Sequence, residues 1–329
     1  MISTLDSTFS YNARRGNLSG FIRPYISQIE TIACKETAMS TEQIRQKLTN
    51  ALANLDSLPA MPAIAMKLLA LNLNTDEGET ELLKLIGQDP QISAKLISLA
   101  NSPMMGLNRK VSSVPEAAML LGLTRVKAVA LGIAAMSNFA KVPATQNFAP
   151  QYLWLHSLSI SIAMNTLSLS MPRQMRPQQD HIHLAGLLHD MGYMVIHHVD
   201  SAASNELHLQ LSLQPERHVL EIEQEVLGIS HCQIGAQLAR QWNLPEEIID
   251  VLHYHHTPYE DEVPLANMLA YMINLAEKLL PNFGINEYCG TEISEREWQT
   301  LGIDPDNADE LRDTINEIAL QAAQMADIF

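Results

Sequence analysis

Cysteine is scarce. The chain has three, Cys34, Cys232 and Cys289, far apart and odd in number. They form no CxxC pair and no disulfide framework, which fits a reducing cytoplasm. Long apolar runs are also missing. The longest, "AVALGIAAM" from Ala128 to Met136, is far short of the roughly 20 residues of a membrane span. No basic stretch followed by an apolar core stands near the N-terminus, so no secretory leader is expected. Basic residues are few. Lys and Arg number 21 against 37 Asp and Glu, a net charge of −16, which argues against nucleic-acid binding through phosphate neutralisation. The imbalance concentrates between Thr257 and Phe329, where 15 acidic residues meet 3 basic ones. A solvated acidic face is favoured there over an acidic docking surface. Period-2 alternation is absent as well, and with it any strand signal. There is no internal repeat.

What remains is helical pattern. Residues 1–38 are polar and aperiodic, and "NARRGNLSG" reads as loop. From Ser40 a capping pair, Ser40 with Gln43, opens a helix with Ile44, Leu48, Leu52 and Leu55 on one face. Pro62 is placed for the first turn of the next helix. Two short helices follow, the first ended by Gly87 and Pro90, the second near Pro103 and Gly106. "SVPEAAMLLGLTRVKAVALGIAAMSNF" reads as two helices joined at Gly122. The Met and Leu stripes of this block read as core packing. "KVPATQNFAP", 141–150, is a Pro-bounded connector. Helices are then expected over about 151–171, 180–199, 204–228, 230–242, 245–256 and 263–280, with a last one from about Ala308 carrying Leu311, Ile315, Ile318, Ala322 and Met325. The fold class is all-α. The expected parts are an extension over 1–38, helical subdomains over 39–145 and 146–281, and an acidic helical extension over 282–329.

All 12 histidines lie between His156 and His256. Two readings fit: a metal or acid/base site assembled from that segment, or surface histidines gathered by chance. Clustering this tight favours the site. At its centre "HLAGLLHDMGYMVIHH" sets His189 and Asp190 side by side in a helix that is apolar or small nearly all round. Burying that pair costs several kcal/mol unless both members find partners. Candidate partners sit on neighbouring helices. His156 shares the expected buried stripe of its helix with Tyr152, Ile160, Ala163 and Leu167. His231 opens a helix, His255 and His256 end another, and Glu277 stands in a mostly apolar one. Imidazole and carboxylate donors suit Zn, Fe, Mn or Ni, and the absence of thiolates argues against a Zn–Cys structural site.

With these segments in order, the sequence resembles the HD superfamily of metal-dependent phosphohydrolases, and more closely its HDOD branch. The resemblance runs from about Leu58 to Leu280. Its N-terminal part rests on "LPAMPAIAMKLL", "LIGQDPQISAKLISLANSPMMG" and "VSSVPEAAMLLGLTRVKAVALG". Its second part rests on "LWLHSLSIS", "AGLLHDMG", "HCQIGAQLARQWNLP" and "VLHYHH". It implies that His156, His189, Asp190 and the acidic residue at 277 are metal ligands. It implies too that His231, His255 and His256 match the extra histidines with which HD-GYP phosphodiesterase relatives hold a second ion. Two departures stand out: Glu277 where the superfamily usually has Asp, and Tyr193 where active members usually carry a phosphate-facing Lys. The GYP signature is absent.

The implied function is a cytoplasmic regulatory module with one or two divalent ions (Fe, Mn, Ni or Zn) and weak or no turnover. Output would run through a partner protein, a nucleotide-like ligand or another copy of the chain. The alternative is an active phosphohydrolase or phosphodiesterase on a nucleotide or cyclic dinucleotide, with Asp190 and His189 catalytic.

Overall fold

Helix starts in this chain are set by short polar side chains. Ser40 and Gln43 exchange reciprocal bonds at the head of α1 (Thr41–Ala53): the Ser40 amide donates to Gln43 Oε1 at 2.9 Å and the Gln43 amide to Ser40 Oγ at 3.3 Å. Pro62 immediately precedes α2 (Ala63–Ala70), one place ahead of the expected first turn. Thr75 caps α3 (Asp76–Gln88), and Asp89 caps α4 (Pro90–Ala100), whose first residue is the proline. Ser113 caps α5 (Val114–Leu121). Gly122, at φ +82°, then turns the chain into α6 (Leu123–Ser137), the left-handed step that glycine makes at least cost.

The computed structural model describes residues 40–53, 58–102, 105, 109–137, 139, 142–259, 268–281, 283, 285 and 291–323, without the side chains of 318–323. The extension over 1–38, Cys34, Cys289, Met325 and the expected helix start at 263–267 lie outside them, as do the side chains of Ile318 and Ala322. Among the described residues every regular element is a helix. From Ser40 onward they belong to one compact unit.

The second half is built around α7 (Pro150–Ser170), which is buried on nearly all sides. Against it pack α8 (Gln179–Leu188), α14 (Met268–Leu279) and α16 (Ala308–Ala323). The remaining helices are α9 (Met191–Val199), α10 (Ser201–Leu213), α11 (Val219–Val226), α12 (His231–Gln241), α13 (Glu246–Tyr254) and α15 (Glu295–Thr300). One apolar core runs from Leu48 on α1 to Ile315 on α16. Helix α6 joins the two halves by packing on both α2 and α8. No single described helix is long and apolar enough to cross a membrane.

Two expected helices are broken. The run over 180–199 is interrupted at His189-Asp190, because Asp190 (φ −96°, ψ 15°) leaves the helical region. The apolar period continues through this break, so periodicity does not reveal it. The run over 204–228 is split at residues 214–218, where Pro215 lacks the amide a helix would need. Three residues expected in the core also face out. Tyr152, in the first turn of α7, is 51% exposed, Met66 53% and Met119 88%.

Two glycines let helices approach closely enough to form the centre described below. A Cβ on Gly186 would fall 2.5 Å from Ser161 Cα on α7. One on Gly192 would fall 2.0 Å from the His231 carbonyl oxygen on α12. Backbone cannot yield as a flexible side chain can. Gly192→Ala is therefore expected to lower stability by about 1–3 kcal/mol or more. Gly87→Ala on α3, with open space around it, should stabilise by about 0.5–1 kcal/mol. Denaturant unfolding of both variants checks the pair, and equal effects would contradict it.

Candidate metal centre

Seven residues singled out from the sequence come together. His156 projects from α7. His189 and Asp190 occupy the turn between α8 and α9. His231 is the first residue of α12, His255 and His256 follow α13, and Glu277 lies on α14. None is more than 5% exposed, and Asp190 is fully buried.

Asp190 is the hub. Its Oδ2 lies 3.3 Å from His156 Nε2 and 3.2 Å from His189 Nε2. Its Oδ1 lies 3.4 Å from His231 Nε2 and 3.5 Å from His255 Nε2. Glu277 also spans the two sides, with Oε1 3.8 Å from His189 Nε2 and Oε2 3.7 Å from His256 Nδ1. The donors thus fall into two groups, His156 with His189 and Glu277, and His231 with Cys232, His255 and His256. Within each group the ligand atoms lie within 4.8 Å of one another. Asp190 would ordinarily cap α9, yet its side chain makes no cap bond there. Its carboxylate is turned into the cluster instead.

Three imidazoles have their outer nitrogen engaged. His189 Nδ1 donates to the Gly186 carbonyl at 3.0 Å, and His255 Nδ1 to the Val251 carbonyl at 3.1 Å. His231 Nδ1 donates to Glu223 Oε1 at 2.6 Å. In the neutral ring this leaves each Nε2 as a lone pair facing the centre. His231 and His255 then bring two lone pairs to 3.2 Å of each other. Both Asp190 oxygens and His156 Nε2 are buried without a hydrogen-bond partner. Acceptors converging on acceptors is the arrangement a cation relieves, and the outer bonds are those that orient metal-ligating histidines.

Electrostatics favour the neutral form of His255 and His256 but not of His231. Burial, reinforced by the adjacent His256, pushes His255 down to about 3. Burial likewise holds His256 well below the ordinary range, with His231 adding to the effect. Burial alone would raise the Asp190 carboxyl. His189 and the surrounding imidazoles overcome it and hold Asp190 well below the usual carboxylate range. For His231, burial is outweighed by Cys232 and Glu223, which raise it well above the ordinary value.

Two participants were not singled out from the sequence. Glu223, fully buried on α11, accepts from both the amide and Nδ1 of His231. Its signal was present, since it continues the apolar stripe Val219, Ile222 and Val226. Cys232 puts Sγ 3.5 Å from His231 Nε2 and 3.9 Å from His255 Nε2. The expectation of a centre without a thiol neighbour is corrected here. Distance along the chain between cysteines says nothing about a cysteine next to a clustered histidine.

Tyr193 is fully buried and stacks on His231, with ring centroids 4.2 Å apart and 21° between planes. Other histidines serve packing. His197 Nε2 donates to the Pro143 carbonyl, and His208 stacks on Phe148. His183 is buried beside Ser161 Oγ at 3.2 Å. Burial, with the Arg125 charge adding to it, pushes His183 down to about 4.

Residues 58–258 match the HDOD domain family. A solved structure from Marinobacter aquaeolei VT8, provisionally assigned to signal transduction, superposes with a TM-score of 0.73 at 26% identity, covering 88% of this chain and 66% of that one. An HDOD domain protein of unknown function from Geobacter sulfurreducens superposes at 0.65 with 22% identity, covering 85% and 99%; it supports the fold. A curated protein of Treponema pallidum (strain Nichols), described as uncharacterized, is 27% identical over 234 residues. That alignment takes in 68% of this chain and 43% of the relative, so the chain spans less than half of that protein's length.

His183 generates a pH prediction. Its folded value of about 4 lies below the ordinary 6.5. As pH falls, the unfolded chain takes up the proton first. Stability is therefore full above 6.5 and is lost progressively down to about 4, by about 3 kcal/mol from this residue. NMR titration of the His183 ring should show a midpoint near 4. A midpoint near 6.5 would contradict the burial argument.

Proposed function

Because the chain belongs to the HDOD domain family, we propose that it is a cytoplasmic signalling protein whose buried centre holds one or two divalent transition-metal ions and turns over substrate weakly or not at all. His156, His189 and Glu277, with Asp190 Oδ2, would hold one ion. His231, His255 and His256, with Asp190 Oδ1, would hold the other. A bound divalent ion supplies positive charge that offsets the burial of two carboxylates, and it lowers the pKa of any water it binds. Glu223 orients His231 through Nδ1, and the Gly186 and Val251 carbonyls orient His189 and His255.

The observation that carries the regulatory half of this reading is closure. A donor set this complete would hold metal, yet no member exceeds 5% exposure. A phosphate ester would have to reach atoms that the described residues cover. Tyr193 strengthens the point. In the place where the resemblance leads one to expect a phosphate-facing lysine, its ring lies flat against His231. The provisional assignment of the Marinobacter protein to signal transduction supports the same reading. Output would then pass to a partner protein, to a nucleotide-like ligand or to a second copy of the chain.

The completeness of the donor set favours a second reading, an active phosphohydrolase or phosphodiesterase on a nucleotide or cyclic dinucleotide. In it Asp190 and His189 would act on the attacking water.

Elemental analysis of the purified protein should find a transition metal that Asp190→Asn releases with a fall in Tm. Absence of metal after reconstitution, with an unchanged Tm, would sink the metal reading. Glu223→Gln should weaken metal binding by about 10–100-fold through the misoriented His231. Screens of cyclic dinucleotides, nucleotides and phosphomonoesters should give no turnover above background. Steady hydrolysis that disappears in Asp190→Ala would establish the enzymatic reading in its place.

A further inference from the structure

Cys232 is the one cluster member that neither the composition of the chain nor the implied ligand set assigns. It is the second residue of α12, lies within the Ser230–Gln233 capping box, and is 2% exposed. Its sulfur belongs to the same convergent group as His231, His255 and His256.

The separations can be tested against a metal. With bonds of about 2.0–2.1 Å to nitrogen and about 2.3 Å to sulfur, a tetrahedral ion sets two nitrogens about 3.3 Å apart and nitrogen about 3.6 Å from sulfur. Here His231 Nε2 and His255 Nε2 are 3.2 Å apart, and Sγ is 3.5 and 3.9 Å from them. The two nitrogens and the His231–Cys232 pair stand at coordination spacing, while Sγ, also 4.0 Å from His255 Nδ1, has to swing toward the His255 Nε2 lone pair to share the ion. An independent observation points to the same spot. Asp190 Oδ1, fully buried and without a hydrogen-bond partner, is aimed at these two imidazoles.

We propose that Cys232 binds metal as a thiolate alongside His231 and His255, making this half of the centre a mixed nitrogen–sulfur site. The proposal rests on the metal reading above and adds the ligand and the ion class. The S–H bond breaks, a sulfur–metal bond forms, and the proton leaves to solvent, with no change of oxidation state. Thiolate donors select softer ions, so this half takes zinc or ferrous iron in preference to manganese or magnesium.

Cobalt(II) is the probe, because a thiolate on cobalt produces an intense near-ultraviolet charge-transfer band that imidazole and carboxylate do not. The full chain is used with Cys34→Ser and Cys289→Ser, so that Cys232 is its one thiol. Cobalt bound per chain is measured by equilibrium dialysis beside the spectrum. The expected result is bound cobalt with the band, and loss of the band in both Cys232→Ser and Cys232→Ala while cobalt stays bound at the other half. Circular dichroism of the two variants shows that they remain folded. Bound cobalt without the band would overturn the thiolate ligand and leave the metal reading standing. No bound cobalt would overturn both. A band that persists in a folded Cys232→Ala protein would also overturn it.

Discussion

A fully buried carboxylate ringed by four imidazole nitrogens at 3.2–3.5 Å is the constraint on which the second half of this molecule depends. An isolated charge in that position would cost several kcal/mol. Its neighbours must therefore arrive from different helices and stay in place. Gly186 and Gly192 allow the backbones to close up around it, and the break at Asp190 releases the carboxylate from the helix to face inward. Glu223 and two carbonyls fix the imidazoles from behind. Each device makes sense as support for one charged centre.

Much of this was legible in the sequence. Capping residues and apolar periodicity marked most helices, and Ser40 with Gln43 made the reciprocal bonds their spacing suggests. The ordered set from His156 to Glu277 consists of residues that the fold brings side by side. Other features were hidden for physical reasons. The turn at Asp190 keeps the apolar period intact, so pattern alone reads through it. Pro215 did carry a signal, and it split an expected helix as its missing amide requires. Which histidines converge also depends on tertiary approach. His183 and His208 lie close in sequence to His189 and His231 but pack against Ser161 and Phe148.

Glu223 and Cys232 teach a narrower lesson. Both sit beside residues that attracted notice, Glu223 on the stripe before His231 and Cys232 next to it. A buried acid on an apolar stripe implies a partner that needs its charge. A thiol adjacent in sequence to a clustered histidine, at the start of a helix, is held beside the same cluster. Tyr193 belongs to the same neighbourhood. It is fully buried and stacks on His231.

The most direct test of a metal centred on Asp190 is anomalous diffraction from crystals of the protein loaded with zinc or iron, recorded at the absorption edge of that metal. A peak about 2.0–2.2 Å from an Asp190 oxygen and from histidine Nε2 atoms is predicted. A well-ordered cluster without an anomalous peak after loading would contradict it.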